Sequence, residues 1–296
     1  MLKPMSFIYS THIKSIILSF MTIKTNKNEL VSVVMCTRNR PSKVLEAIQT
    51  VLNQSYQNLE LIVVDGSDTN ETRTKISNLK DSRIILLKDD GKGLSSARNI
   101  GIKKAIGKYI CFQDDDCIWD KNKIEKLVDA ISNSNTDVGV VYSSLYRTIN
   151  DKKVLLPPKW VKKKDGDVSD IIIFANLTDS VSMLIPRNII LEMGCFDETL
   201  HGAEDWYLAI KMSKKYKFKF LEEPLFISYT NKDSITTTQS HKIAVKTVKK
   251  RILKDINGNF SKIIRYEIRS QLYRAFYFLY RRYRNSKIFA LTKILL

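Results

Sequence analysis

The chain has 296 residues, of which 44% are hydrophobic and 27% are charged, and its formal net charge is +18. This apolar content is enough for a full core, so disorder is not the default, and the length suits either one large α/β domain or a domain plus an appendage. The four cysteines have no CxxC spacing and the three histidines are scattered, so neither a disulfide framework nor a zinc site is expected.

The charge and hydropathy patterns divide the chain into three regions. Residues 1–29 form an N-terminal extension that need not be structured: its apolar segment Ser15–Met21 is too short to span a bilayer, and it is either a short interfacial helix or a stretch before a true start at Met21. Residues 30–238 carry regular elements. Residues 239–296 form a basic helical region, since residues 241–296 hold 15 Lys and Arg against only Asp255 and Glu267.

Strand-like and helix-like segments alternate from Leu30 onward. The predicted strands are Leu30–Cys36, Leu59–Val64, Arg83–Leu87, Tyr109–Phe112, Asp137–Tyr142, Ser180–Ile185, Lys217–Leu221 and Pro224–Tyr229. The predicted helices are Ser42–Gln54, Glu71–Leu79, Leu94–Ile106, Lys121–Ala130, Pro186–Met193 and one that begins at Glu204. This order predicts an α/β fold of Rossmann-like character, with a mostly parallel central sheet and helices on both faces. The irregular segment Ser143–Asn176 is interpreted as a long loop or hairpin insertion near the site.

Three adjacent carboxylates, Asp114, Asp115 and Asp116, follow the strand Tyr109–Phe112. Adjacent carboxylates repel one another, and a fold that keeps them together usually supplies a cation. The carboxyl ends of strands in an open α/β sheet are also where ligands bind. The alternative is a solvated acidic turn. An EF-hand loop is excluded, because Trp119 stands at the sixth position, where the sharp turn requires glycine.

Seven segments carry a family resemblance when they are taken together and in order. They are VSVVMCTRNR, LNQSY, LELIVVDGS, GLSSARNIG, YICFQDDD, GCFDE and AEDW. Over about Leu30 to Lys254 the chain resembles the family 2 glycosyltransferases, which have the GT-A fold. The resemblance implies an inverting transfer of a sugar from a nucleoside-diphosphate donor, with a UDP-sugar favoured. The acceptor would be a hydroxyl of a glycan or of a lipid-linked acceptor in surface polysaccharide synthesis.

The resemblance also suggests which residues bind the donor. Thr37 and Arg38 would lie against the nucleotide, and Asp65 would accept a hydrogen bond from the base, a role open to any ionised carboxylate. Arg98 would pair with the diphosphate and Asn99 would bind the sugar or ribose. The alternatives are a turn residue at Asp65 and a solvated helix arginine at Arg98.

A divalent cation, Mg²⁺ or Mn²⁺, is implied at the aspartates. Asp116 is the first candidate ligand and Asp114 the second, while Asp114 or Asp115 would hold the ribose or the donor sugar. The cation would act as a Lewis acid on the leaving nucleoside diphosphate. Many family members carry a histidine after the last strand, whereas this chain has Asn231 there and Lys232 next to it, so the diphosphate contact at that place is in doubt.

The catalytic base is expected at the start of the helix that begins EDW. Asp205, preceded by Glu204, matches the family's base, which takes the proton from the acceptor hydroxyl. The alternative is that both acids simply favour the positive end of the helix. Trp206 is a candidate floor for the acceptor sugar, or else a core residue.

Apolar and aromatic residues alternate with Lys and Arg in two predicted helical segments near the end of the chain, Ile243–Leu253 and Ile263–Phe289. These helices suit either an anionic membrane surface or packing on the catalytic domain or another subunit. We expect a cytoplasmic protein, with peripheral contact at the inner face of the membrane if the first alternative holds. The rival hypotheses are a nucleic-acid binder, a nucleotidyltransferase and a non-catalytic nucleotide-sugar binder. No nucleic acid is expected as partner, because carboxylates on one rim repel phosphates unless a cation is bound.

Overall fold

The computed structural model describes residues 28–149, 152–159, 161–162, 164–229, 238–255 and 260–283. The strands are β1 (Val31–Thr37), β2 (Leu59–Asp65), β3 (Ile84–Lys88), β4 (Tyr109–Asp114), β5 (Cys117–Trp119), β6 (Val138–Ile149), β7 (Lys152–Leu156), β8 (Met183–Pro186) and β9 (Lys217–Tyr229). The helices are α1 (Pro41–Leu52), α2 (Glu71–Ser77), α3 (Leu94–Lys104), α4 (Lys123–Ser132), α5 (Ser169–Ile172), α6 (Arg187–Glu192), α7 (Glu204–Ser213), α8 (Gln239–Asp255) and α9 (Phe260–Tyr283). Most predicted elements are present, with ends shifted by a few residues.

The strands form one sheet in the order β3-β2-β1-β4-β8-β6-β9-β5, with β7 paired to β6. Strands β3, β2, β1 and β4 are mutually parallel, and β6 and β9 run in the same direction. Strands β5, β7 and β8 run the opposite way. The mostly parallel sheet predicted from the alternation is therefore confirmed. Parallel pairing places Thr37 beside Asp65 and Cys36 beside Asp114, so polar strand ends meet on one rim.

The sheet has a hydrophobic core on each face, as strand periodicity requires. Successive side chains of a strand point to opposite faces. In β1, Val33 and Met35 join the core beneath α1 and α4, whereas Val34 joins the core beneath α3, α7 and α8. Helices therefore cover both faces, as predicted.

The two predicted strands near residue 220 are one strand, β9, and this prediction was wrong. Ser143 of β6 pairs with Leu221 and Ser144 pairs with Pro224, so Glu222 and Glu223 are absorbed in a bulge rather than a turn. Strand β5 was not predicted. The segment interpreted as a loop or hairpin insertion contains the β6–β7 hairpin and α5.

The basic C-terminal helices pack on the rest of the fold. Ala244, Val248 and Ile252 of α8 recur every four residues and are buried in the core beneath α7, and Tyr266 of α9 joins them. The opposite side of α9 exposes three large apolar side chains, Ile268, Leu272 and Phe278, which are 53%, 45% and 61% exposed. Among the helices that the structure describes, none combines the length and apolar character needed to cross a membrane.

Candidate active site

A cavity of about 740 Å³ opens at the carboxyl ends of β1 and β4. Its walls come from these strand ends, the first turns of α3 and α7, the β6–β7 hairpin, the residues that precede β8, and α9. Ligands in open α/β sheets bind at this position. The cavity brings together several residues that the sequence singled out: Thr37, Arg38, Arg98, Asp114, Asp115, Asp116, Glu204 and Asp205.

The three aspartates lie on a tight turn between two strands of the same sheet. Asp114 ends β4, and Cys117 begins β5, which pairs with β9 at the sheet edge. The carbonyl oxygen of Asp116 accepts a hydrogen bond from the backbone N–H of Tyr229 at 3.1 Å. The turn therefore has its backbone held on both sides by paired strands.

The middle aspartate, Asp115, is bound by the protein itself. Its Oδ2 accepts from Thr37 Oγ1 at 2.9 Å, its Oδ1 accepts from Arg40 Nη1 at 2.7 Å, and its side chain is only 8% exposed. The structure thus uses Asp115 and Thr37 to fix the end of β1 against the turn, which leaves Asp114 and Asp116 as the more accessible pair. Arg40 was not identified from the sequence, because its partner is 75 residues away.

Asp116 and Asp114 form a site whose chemistry fits a hard divalent cation. Burial, followed by the neighbouring charges of Asp114 and Asp115, raises the pKa of Asp116 to about 6. One ligand atom each from Asp114, Asp116 and Cys117 lies within 4.8 Å of the others. Carboxylate oxygens suit Mg²⁺ or Mn²⁺, whereas a thiolate suits softer metals. The buried Cys117 thiol, whose pKa is raised by burial, is no part of such a site.

Arg98 lies at the centre of a network of acidic and hydroxyl groups. Its side chain is 4% exposed; Nη1 donates to Glu204 Oε1 at 2.5 Å, and Nη2 donates to Asp114 Oδ1 at 3.0 Å and to Ser180 Oγ at 3.0 Å. The sequence suggested a diphosphate contact or a solvated helix arginine. The second of these is wrong, because the guanidinium is buried and links the aspartate turn to the start of α7.

Two predicted ligand-binding residues hold the fold instead. Asn99 donates from Nδ2 to the carbonyl oxygen of Phe196 and to Glu198, both at 2.9 Å, and accepts from the Phe196 N–H at 3.0 Å. It is 5% exposed and does not line the cavity, so the predicted sugar or ribose contact is not formed there. Trp206 is 5% exposed and donates from Nε1 to the carbonyl oxygen of Ile172 at 2.6 Å. Of the two roles expected for Trp206, the structure therefore favours the core residue over the floor for the acceptor sugar.

Asp205 lies in the first turn of α7, on the cavity wall. Burial raises its pKa to about 7, with Glu204 and Asp179 acting in the same direction and Arg98 against them. A carboxylate with a pKa near neutrality can accept a proton at physiological pH.

Asp179 was not identified from the sequence. It forms a capping box with Ser182 at the start of a short 3-10 helix, where its side chain accepts from the Val181 N–H at 3.0 Å.

The end of β2 presents buried carboxylate oxygens. Asp65 is 2% exposed and does not line the cavity. Its Oδ1 accepts from the Ser67 N–H at 3.0 Å, while its Oδ2 has no hydrogen-bond partner in the described part of the chain. Asp89, which lines the cavity, likewise has a buried Oδ1 without a partner among those residues. A Cβ at Gly66 would lie 2.7 Å from Asp89 Oδ2, so a larger residue there would displace the Asp89 carboxylate. Buried acceptors without partners call for a donor from a ligand or water.

Arg38 is the most exposed of the candidate residues. Its guanidinium, 66% exposed, lies 3.2 Å from Asp68 Oδ1 at the mouth of the cavity. Asn231 and Lys232, where the family's histidine was expected, lie outside the described residues.

Comparison with known proteins identifies the family. The model of glycosyl transferase family 2 matches residues 32–191. An uncharacterised glycosyltransferase of Rickettsia prowazekii (strain Madrid E) is 30% identical over 213 residues, which cover 71% of this chain and 66% of that protein. The Escherichia coli protein WfgD, a UDP-Glc:α-D-GlcNAc-diphosphoundecaprenol β-1,3-glucosyltransferase, is 36% identical over 127 residues, which cover 43% of this chain and 49% of WfgD. The chain thus spans less than two thirds of the length of either relative.

Solved structures agree on the fold. The crystal structure of Staphylococcus aureus TarS 1–349 in complex with UDP-GlcNAc superposes with a TM-score of 0.64 over 78% of this chain and 67% of that chain, at 18% identity. The family model covers more than half of the chain. The chain therefore belongs to glycosyl transferase family 2 and has the GT-A fold.

Proposed function

We propose that this protein is a cation-dependent inverting glycosyltransferase, which moves a sugar from a UDP-sugar to a hydroxyl of a glycan or lipid-linked acceptor in surface polysaccharide synthesis. One observation carries the proposal. A single cavity holds a carboxylate pair suited to a divalent cation, Asp114 and Asp116, and a separate carboxylate, Asp205, whose pKa is raised to about 7.

The donor nucleotide would bind at the β1–β2 end of the cavity. The unpartnered oxygens of Asp65 and Asp89 in the described part of the chain are acceptors, and the uracil N–H is a donor that would satisfy one of them. Arg38 at the mouth adds an exposed positive charge for the phosphates. The printed names of WfgD and of the TarS complex contain UDP-Glc and UDP-GlcNAc, which favours a UDP-sugar here.

Asp116, with Asp114, would hold Mg²⁺ or Mn²⁺. When bound, the cation supplies Lewis-acid stabilisation of the negative charge that develops on the departing UDP. The protein's own contribution is to keep the two carboxylates close although they repel each other. Strand β4 is held by β1 and strand β5 by β9, and Arg98 donates a hydrogen bond to Asp114.

Asp205 would act as the base in a single displacement. The acceptor oxygen attacks the anomeric carbon while its proton passes to Asp205, and the bond between that carbon and the phosphate oxygen breaks. Attack from the face opposite to UDP inverts the configuration. Glu204 is held by Arg98 and is not free to take this proton, so its role is to orient the start of α7.

The outer face of α9 suits a lipid-linked acceptor. Ile268, Leu272 and Phe278 expose apolar side chains, and Arg269 and Arg274 flank them on the helix surface. Such a face can lie on an anionic membrane, with rings and aliphatic groups below the headgroups. Co-sedimentation with vesicles containing phosphatidylglycerol tests this contact: binding that survives both Leu272→Ser and Phe278→Ser would argue against it.

Thermal unfolding with UDP tests the donor and cation together. A ligand that binds only the native state raises the midpoint of unfolding, because at a hundredfold excess over Kd it adds about 2.7 kcal/mol to the free energy of unfolding. We expect a shift with UDP that requires Mn²⁺ or Mg²⁺ and is lost in Asp116→Asn. Asp137→Asn is the control, since Asp137 is exposed, pairs with Lys217 and lies outside the cavity.

Two results of this experiment would contradict the proposal. A UDP shift that is independent of the cation and retained in Asp116→Asn would refute the cation site. No shift with any nucleotide, together with salt-sensitive binding of RNA or DNA, would refute the transferase function.

A further inference from the structure

We infer that Tyr273 and Tyr277 of α9, together with Arg147 of β6, form the subsite that binds the acceptor sugar. The inference rests on the proposed function and deepens it, because it locates the acceptor. Both tyrosines and Arg147 line the same cavity as Asp205.

The two tyrosines form a stepped aromatic surface. Their rings are parallel to within 6° with centroids 6.2 Å apart, and Phe174 packs edge-on against Tyr273, also at 6.2 Å. Carbon atoms in contact are about 3.5–4.0 Å apart, so parallel rings whose centres are 6.2 Å apart are offset rather than overlaid. Each ring therefore leaves part of its face uncovered by the other.

The position of this surface separates it from the nucleotide. Asp65 and Asp89 follow β2 and β3 at one end of the sheet order, the aspartate turn follows β4 in the middle, and Arg147 lies on β6 beyond it. Tyr273 and Tyr277 line the cavity together with Leu145 and Leu156 of the hairpin. An acceptor must approach the donor sugar from the side away from UDP, and this is that side.

Arg147 lines the same cavity as the tyrosines and Asp205. Its Nη2 donates to Asp179 Oδ2 at 2.6 Å. Burial acts to lower the pKa of Arg147, but the charges of Asp179, Tyr277, Cys117 and Asp205 act against burial and the pKa is raised. A sugar held here would thus have its hydroxyls beside Asp205.

The chemistry of the surface matches a pyranose. A sugar ring has an apolar C–H face and a rim of hydroxyls, and tyrosine offers a rigid aromatic face with a polar hydroxyl at little cost in side-chain entropy. A guanidinium carries five N–H donors, and only part of this capacity is used by Asp179. The three side chains together can contact both the face and the rim of the sugar.

Tyr277 is the better residue to test, because Tyr266 and Ser270 already bury α9 against the domain. The experiment measures binding of the methyl glycosides of N-acetylglucosamine, glucose and galactose by saturation-transfer NMR, with UDP and Mn²⁺ present. The variants are Tyr277→Ala, Tyr277→Phe and, as an aromatic control outside the cavity, Tyr216→Ala, which removes a hydroxyl that donates to Glu192.

At least one glycoside should bind the wild type, with affinity reduced on the order of tenfold in Tyr277→Ala, as for a loss of about 1.4 kcal/mol. Tyr277→Phe should keep most of the affinity and Tyr216→Ala all of it, and the UDP-induced thermal shift should be the same in all four proteins. Equal affinity in Tyr277→Ala, or no glycoside bound by the wild-type UDP complex, would overturn the subsite while leaving the donor site intact. Failure of the wild type to bind UDP would overturn the function and the subsite together.

Discussion

Replacing Arg98 by methionine tests the network that joins the aspartate turn to the catalytic helix. A methionine side chain cannot donate a hydrogen bond, so the change strands the carboxylate of Glu204, which is 6% exposed and 2.5 Å from the guanidinium in the wild type. Removing one partner of a buried ion pair costs about 3–5 kcal/mol, because the remaining charge stays buried without compensation. The contact to Asp114 adds little, since that carboxylate is 34% exposed and screened by water.

Thermal unfolding followed by circular dichroism measures this cost. At about 2–4 °C per kcal/mol for a chain of this size, the midpoint should fall by roughly 6–20 °C. The double variant Arg98→Met/Glu204→Gln removes the stranded charge as well and should recover most of that loss. Arg38→Met is the matched control: it removes an exposed guanidinium that pairs with exposed Asp68, and it should leave the midpoint unchanged.

Two outcomes would refute this account of Arg98. One is a fall in midpoint no larger than that of Arg38→Met, which would mean that Glu204 is not stranded. The other is a double variant as unstable as Arg98→Met alone, which would assign the loss to packing of the arginine stem rather than to the charge.

Two further predictions concern titrating groups. Asp205→Asn should lower kcat by about 10²–10⁴, the usual contribution of a general base. In the wild type, kcat/KM should decrease as the pH falls through about 7, because protonated Asp205 cannot accept the proton of the acceptor hydroxyl. Burial, followed by Glu204 and Asp179, raises the pKa of Asp205 to this range. A flat pH profile across this range would contradict the assignment of Asp205 as the base. Lys123 is fully buried without a hydrogen-bond partner in the described residues, and burial lowers its pKa from 10.5 to about 8. The unfolded chain therefore binds more protons between those values, so wild-type stability relative to Lys123→Met should rise from pH 8 to 10.5 in urea unfolding; a constant difference would refute the shifted pKa.

The parallel half of the fold was predictable because its signals are local. β1, β2 and β4 are near-continuous apolar runs that end in polar residues, as expected for strands buried on both faces. β9 was not predictable in the same way. Glu222-Glu223-Pro224 is typical of a turn, and only the register with β6 shows that the two extra residues form a bulge.

Site residues were likewise predictable where their position depends on local sequence, and not where it depends on residues far away in the chain. The aspartates were located because a strand end fixes their place. Asn99 and Trp206 were assigned to ligands, yet their polar atoms bond to groups 97 and 34 residues away, and no local pattern reveals those partners. The tyrosines of α9 reach the cavity for a related reason: the amphipathic pattern shows that one face of the helix is buried, but not against what.

The aspartate turn has a consequence for how the site responds to a ligand. β4 lies in the middle of the sheet and β5 at its edge, yet only Asp115 and Asp116 connect them, so the sheet must curl until its edge returns to its centre. The conformational entropy of this backbone is therefore lost on folding, so a ligand does not have to order it on binding. Because paired strands hold this turn on both sides, it is a preset template, and a cation bound at Asp114 and Asp116, as proposed, would offset the repulsion between their carboxylates.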